Sequence, residues 1–207
     1  MPKIRAETLE DHHAAVWGDL IAGLERLLAT RSYEEISISD IAASAGMARN
    51  TVYNYAPDKA TLVATAANKS NQRLLEQVTR CAEGPEPVAE RLEAILTAIV
   101  SWFGAADHRN LVLVTLFRPT PQIVRETGVE PLDSISPVVA GIIAEGIEAG
   151  VFRPVGDIDL VVELMSGVSH YAATRVIRAP EQVGKVVAEV NAFVMAALGC
   201  ERVGAKA

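Results

Sequence analysis

Residues 49–59 combine side chains that can form hydrogen bonds with a nucleic acid. The polar residues able to donate to base edges or phosphates are Arg49, Asn50, Thr51 and Asn54, and Tyr53 and Tyr55 add hydroxyl donors at the rim. Lys59 follows in the first turn of a predicted helix, where backbone N–H groups already favour a phosphate. The pattern predicts a DNA-contacting segment, and a solvated polar helix joining two parts of the chain is the alternative.

Catalytic and metal-binding patterns are not recognisable in the sequence. It has no glycine-rich phosphate loop and no G-x-S-x-G motif, so we predict neither an enzyme nor a catalytic residue nor a bound cofactor. Cys81 and Cys200 are far apart, and His12 and His13 are adjacent, which on a helix separates them by about 100°. No metal site is therefore predicted.

The charge of the chain restricts how it can bind DNA. The net charge is −7, and the first sixty residues hold six Lys and Arg against nine Asp and Glu. This balance argues against a general basic coat for nucleic acid. DNA binding must therefore depend on where a few groups are placed.

Two short helices joined by a tight turn would position these groups. Ser37 can cap the first helix, with Asp40 three residues later in the capping-box position. Gly46 stands where a helix would end with positive φ. Because two short helices cannot stand alone, we expect Leu24 and Leu28 of the preceding helix to lie beneath them. The spacing predicts a helix-turn-helix at residues 37–55.

The rest of the chain also has helical spacing. Alternating strand patterns and hairpin turns are missing, and prolines cluster at breaks between the apolar runs. We predict an all-α fold of about nine helices: an N-terminal three-helix helix-turn-helix domain and a C-terminal helical dimerisation and ligand domain. The predicted domains are residues 1–57 and 58–207, with residues 58–82 as a connecting helix.

The helix-turn-helix segment resembles the DNA-binding domain of tetracycline-repressor-type (TetR-type) transcriptional regulators over about residues 9–65. The matching residues are Ile41-Ala42, then Ala45-Gly46-Met47, then Thr51-Val52-Tyr53 and Tyr55, then Asp58-Lys59 and Leu62. The resemblance implies that Arg49, Asn50 and Thr51 face bases. It further implies that phosphates are held by Ser37, Tyr53, Tyr55 and Lys59, with Ser39 as a possible further contact.

The same resemblance implies a second domain that dimerises and binds a small molecule. We expect a homodimer through the last two helices, which are rich in apolar residues at helical spacing. Candidate ligand-binding residues mix apolar walls with a few polar groups, as pockets do. They are Trp102, Phe103, His108, Phe117, Met165, His170, Tyr171 and Arg175.

The predicted function is a cytoplasmic transcriptional repressor that a small-molecule effector releases from a double-stranded DNA operator. The longest apolar runs are too short to span a bilayer, and no apolar signal segment follows Met1, so we predict no membrane partner. Two alternatives remain: a helical enzyme or carrier with an incidental polar helix, and a regulator controlled by a protein partner. DNA binding that weakens steeply with salt would separate the first from a regulator.

Overall fold

Nine α-helices make up most of the regular structure of the described residues, together with one short 3-10 turn and a π-helical stretch at residues 114–115, and no described residue lies in a strand. The computed structural model describes residues 9–107, 109–112, 114–115 and 134–200. The helices are α1 Leu9–Leu28, α2 Ile38–Ser44, α3 Arg49–Tyr53, α4 Lys59–Ala82, α5 Val88–Gly104, α6 Arg109–Val112, α7 Ser136–Glu148, α8 Ile158–Arg178 and α9 Val183–Ala197. The predicted all-α fold is confirmed.

The helices belong to two compact units. The first contains α1 to α3, residues 59–70 of α4, and α6. The second contains residues 71–82 of α4 and helices α5, α7, α8 and α9. The unit boundary thus lies inside α4, whereas the predicted domain boundary lies before it, and the predicted domains 1–57 and 58–207 remain a prediction.

Helix ends follow the local sequence signals at several places. Asp157 caps α8, its carboxylate accepting a hydrogen bond from the amide of Leu160 at 3.0 Å. Gly46 and Gly150 follow helices with φ of +70° and +69°, which a side chain would strain. Pro180 opens the 3-10 turn Pro180–Gln182, which precedes α9.

The core of the first unit joins α1 to the two short helices and to α4. Side chains with no exposed surface come from all four elements: Leu20 and Leu24 from α1, Ile41 from α2, Val52 from α3 and Leu62 from α4. Leu28 packs against the same core but stays partly exposed. As expected from the sequence, α1 supports α2 and α3.

A buried carboxylate ties α6 to α1 within the first unit. Glu25 is only 6% exposed. One of its oxygens accepts hydrogen bonds from the backbone and side-chain amides of Asn110, at 2.6 and 2.9 Å, and the other accepts from the amide of Leu111 at 2.9 Å. Because the first N–H groups of a helix have no partner inside it, Glu25 acts as the cap of α6 from another helix.

The second unit is built around α5. Its buried side chains include Leu92, Ile95 and Val100, and the helix contacts α7, α8 and α9. Gly104 lets the end of α5 approach α8 closely, since a Cβ there would lie 2.5 Å from Cγ1 of Val176. None of the described helices is long and apolar enough to cross a membrane.

Replacing Glu25 with glutamine is expected to destabilise the fold by about 1–3 kcal/mol. The glutamine amide group would face an N–H donor of Asn110 or Leu111, leaving a buried donor without a partner. Urea unfolding followed by circular dichroism measures the loss. The control is Glu34→Gln at an exposed position, where we expect a change within about 0.5 kcal/mol. Equal stability of the two variants would contradict the capping role of Glu25.

Candidate nucleic-acid interface

A capping box begins α2. The Ser37 hydroxyl accepts a hydrogen bond from the Asp40 amide at 3.2 Å, and the Asp40 carboxylate accepts from the Ser37 amide at 2.8 Å. Arg31 adds an ion pair to Asp40 at 3.2 Å. The predicted cap is confirmed, and it fixes the direction in which α2 leaves the preceding turn.

The turn between α2 and α3 packs closely against α1. A Cβ on Gly23 would lie 2.9 Å from the amide nitrogen of Ala45, so α1 approaches the turn at a residue without a side chain. The Ser44 hydroxyl donates to the carbonyl of Gly23 at 2.9 Å, and the Arg26 guanidinium donates to the carbonyl of Ser44. These contacts hold the turn that sets the angle between the two short helices.

Helix α3 has five residues and a single buried one, Val52. Its N-cap residue, Ala48, makes no side-chain hydrogen bond to the helix. The other residues of the helix are exposed or half-buried. Exposed side chains are those of Ser37, Ser39, Arg49, Asn50, Tyr53 and Asn54, whereas Thr51, Tyr55 and Lys59 are half-buried. The first unit therefore contains all nine residues predicted to contact DNA, six of them exposed.

Arg49 and Tyr53 form a pair on the exposed side of α3. The Arg49 guanidinium donates to the Tyr53 hydroxyl at 2.8 Å, and its central carbon lies 5.4 Å from the centre of the Tyr53 ring. The two residues are four apart, so their side chains meet on one face of the helix.

Tyr55 has different surroundings from Tyr53. Its ring lies 4.9 Å from the ring of His13 and meets the ring of Trp17 edge-on at 6.2 Å, measured between ring centres. The ammonium of Lys69 lies 5.5 Å from the Trp17 ring. Sequence reasoning considered His13 only as a metal ligand and missed its contact with Tyr55. The one signal was that His13 and Trp17 are four residues apart, so they lie on the same face of a helix.

Lys59 is bound to the protein at the start of α4. Its ammonium donates to the carbonyl of Tyr33 at 2.9 Å and lies 4.0 Å from the centre of the Tyr33 ring. An ammonium has three donors, so this bond leaves two for a phosphate. Beside it, Asp58 accepts a hydrogen bond from the Thr61 amide at 2.7 Å, and this bond lowers the pKa of the Asp58 carboxyl.

The predicted ligand-binding residues in the second unit fall into two groups. Trp102, Phe103 and Met165 are buried, whereas His170, Tyr171 and Arg175 are exposed, Tyr171 by 80%. Arg175 also donates to the side-chain oxygen of Gln182 at 3.1 Å. His108 and Phe117 lie outside the described residues. The described candidates therefore divide by burial into three that lie in the interior of the second unit and three that lie on its surface.

A buried amide in this unit was missed by sequence reasoning. Asn191 is 7% exposed, and its amide nitrogen donates to the hydroxyl of Thr97 at 3.2 Å, joining α9 to α5. Its side-chain oxygen has no hydrogen-bond partner. The available signal was its position between Val190 and Val194 on the apolar side of the last helix.

Two open grooves lie on the surface of the second unit. One, of about 680 Å³, is lined by Gln77, Arg80, Cys81, Gly84, Pro85, Glu86, Glu90, Arg91 and Ala94. The other, of about 580 Å³, is lined by Ser136, Pro137, Ala140, Asp159, Val162 and Glu163. Neither groove includes a predicted ligand-binding residue. Within the described residues, no three His, Cys, Asp or Glu side chains are grouped as a metal site requires.

The pKa of Asp40 tests the capping box directly. Hydrogen bonds from the side chain and backbone of Ser37, with a further one from Arg31, lower the Asp40 pKa from 3.8 to about 2. A lowered carboxyl pKa means that the stabilisation is complete above the unfolded value, near 4, and is lost as pH falls through about 2. We expect Ser37→Ala to raise the Asp40 pKa toward 3.8 in a carboxyl-detected NMR titration.

Ser39→Ala is the matched control, because it removes a neighbouring exposed hydroxyl that makes no contact with Asp40 in the capping box. The Asp40 pKa should stay near 2 in this variant. An Asp40 pKa that does not move in Ser37→Ala would show that the hydrogen bond from the Ser37 hydroxyl is not its cause.

Comparison with known proteins identifies relatives of both parts of the chain. Residues 20–66 match the model of the family described as bacterial regulatory proteins, tetR family. Over 150 residues, the chain is 25% identical to the fatty acid metabolism regulator protein of Bacillus subtilis strain 168, covering 72% of this chain and 76% of the relative.

Solved structures share the fold at low sequence identity. The fatty acid degradation regulator FadR of Bacillus halodurans superposes with a TM-score of 0.74 at 20% identity, covering 90% of this chain and 100% of that one. The transcriptional regulator FadR of Bacillus subtilis in complex with stearoyl-CoA gives a TM-score of 0.71 at 20% identity, covering 89% and 98%. At this identity the likeness establishes the fold.

Proposed function

We propose that this chain is a TetR-type transcriptional repressor that a long-chain fatty acyl-coenzyme A thioester releases from its operator. The DNA-binding half of the proposal rests on the exposed polar surface of α3. Val52 anchors this helix on the core, and the helix lies inside the segment that matches the family model. The effector half is supported by the relative that carries stearoyl-CoA.

DNA contact would begin with α3 in the major groove. Arg49, Asn50 and Thr51 lie in its first turn, the part of a recognition helix that reaches base edges. Ser37, Ser39 and Tyr55 would bind the phosphates on either side, while Tyr53 stands beside Arg49 and Asn54 at the end of the helix. Lys59 would bind a phosphate with the donors that Tyr33 leaves. Because a bacterial operator lies in the cytoplasm, the proposal places the chain there.

A homodimer would form through the outer faces of α8 and α9. Leu160, Leu164 and Tyr171 on α8 are 51%, 64% and 80% exposed, and Phe193 on α9 is 61% exposed. Gly167 lies between Leu164 and Tyr171, and a Cβ there would meet nothing within 4 Å, so a second helix can approach. Exposed apolar side chains in such a row are typical of a protein interface, and a dimer would read two half-sites.

Charge on this face should disrupt the dimer. Leu164→Asp or Phe193→Asp would bury a carboxylate between two copies of α8 and α9, and we expect monomers in sedimentation velocity at micromolar concentration. The matched control is Val151→Asp, at an exposed apolar side chain on neither helix, which should leave the dimer intact. A monomeric wild-type protein would contradict the proposed interface.

The effector would bind within the second unit, where apolar side chains of α5, α8 and α9 are concentrated. Helix α4 gives a physical route to the DNA-binding unit, because one continuous helix of 24 residues, about 36 Å long, belongs to both units. A displacement of its second half would be carried to its first. In a dimer this would change the spacing of the two recognition helices, which must match half-sites a helical turn apart.

Titration of operator DNA with and without stearoyl-CoA tests the proposal. The operator is first selected from random duplexes with the purified protein, and binding is followed by fluorescence anisotropy. We expect stearoyl-CoA to weaken operator binding about 5- to 150-fold and the operator to weaken stearoyl-CoA binding by the same factor. Stearate and coenzyme A, added separately, are the controls that test whether both parts of the thioester are needed.

The two halves of the proposal can fail separately. Operator binding that stearoyl-CoA leaves unchanged would retain a DNA-binding regulator and reject this effector class. A chain that selects no duplex sequence, or whose duplex binding is insensitive to salt, would reject the DNA-binding half.

A further inference from the structure

The Arg49–Tyr53 pair defines the shape of the DNA-facing surface before any DNA is bound. Both side chains are exposed, and each has rotamers that would point away from the other. They nevertheless meet twice, through the hydrogen bond of 2.8 Å and through the guanidinium lying 5.4 Å from the ring centre. The ring therefore restricts a long side chain that would otherwise sample many conformations.

The chemistry of the pair leaves Arg49 able to read a base. A guanidinium has five N–H donors, and the Tyr53 hydroxyl accepts one of them from Nη2. The second hydrogen on Nη2 and both hydrogens on Nη1 stay available, which is enough for the two-bond contact with O6 and N7 of a guanine. Because tyrosine is neutral, it also leaves the positive charge of Arg49 for the DNA, whereas a carboxylate partner would neutralise it.

We infer that Tyr53 is a positioning residue that sets sequence specificity by acting through Arg49, with a guanine-containing base pair as the target. The inference rests on the proposed function, in which α3 enters the major groove. It assigns Tyr53 a role different from the phosphate contact implied by family resemblance. Tyr55, whose ring packs on His13 and Trp17, has no such link to a base-reading side chain.

Tyr53→Phe separates the two roles, since phenylalanine keeps the ring and removes only the hydroxyl. Affinity for the selected operator should fall by about three- to tenfold, the range expected when one long side chain must be ordered on binding. Affinity for duplexes without the operator should stay within about twofold. The lost preference should concern the same base pair that Arg49→Ala relaxes.

A double-mutant cycle makes the inference specific to the pair. In an Arg49→Ala background, Tyr53→Phe should cause no further loss of operator affinity. Tyr55→Phe is the matched control: it removes a hydroxyl two residues away, and its effect should be the same with and without Arg49. Thermal unfolding of each variant shows whether the fold is retained.

Two other results would overturn the inference. If Tyr53→Phe weakens operator and non-operator duplexes by the same factor, and does so equally in the Arg49→Ala background, the hydroxyl binds a phosphate. If Tyr53→Phe leaves operator affinity unchanged, the pair has no role in binding. The proposed function fails separately, when the wild-type chain selects no duplex sequence or binds duplexes without dependence on salt.

Discussion

Helix α3 has five residues, and a helix of that length contains too few internal hydrogen bonds to persist in water. Its conformation depends on Val52, which is fully buried against the core formed by α1, α2 and α4. Every exposed side chain on α3 therefore takes its position from one apolar contact and from the turn that Gly23 and Gly46 permit. The first unit thus holds in place a helix of less than two turns that would not fold alone.

The cations near this surface differ in the partners they contact. Arg31 is paired with the carboxylate of Asp40, so its charge is largely neutralised within the protein. Arg49 and Lys59 instead contact a phenol and a backbone carbonyl, which are neutral acceptors. In a chain of net charge −7, this distinction matters, because a cation held by a neutral acceptor is fixed in place and still attracts phosphate. The positions of a few cations can thus provide the attraction for phosphate that the overall charge of the chain does not.

Local signals predicted the elements of the fold well. The capping box, the positive φ of Gly46 and the alternation of helices and proline breaks depend on residues near one another in the chain, so the sequence contains them directly. The contact of Glu25 with α6 joins residues 85 positions apart and left no local signal. The Arg49–Tyr53 pair was not predicted either, although its spacing of four residues is the helical one, because its members were considered one by one as DNA ligands.

Helix α8 shows why apolar periodicity alone does not tell a pocket-lining residue from a surface residue. Its apolar residues lie on two faces: Met165 and Val176 are buried on α5 and its neighbours, whereas Leu164 and Tyr171 face outward. Periodicity identifies an amphipathic helix when one side is polar, but it does not distinguish a core face from an interface when both are apolar. Since Tyr171 belongs to the outer face, an effector bound inside the second unit, as proposed, would contact α8 on the face of Met165. The same helix would thus connect the interior of one subunit to the surface of its partner.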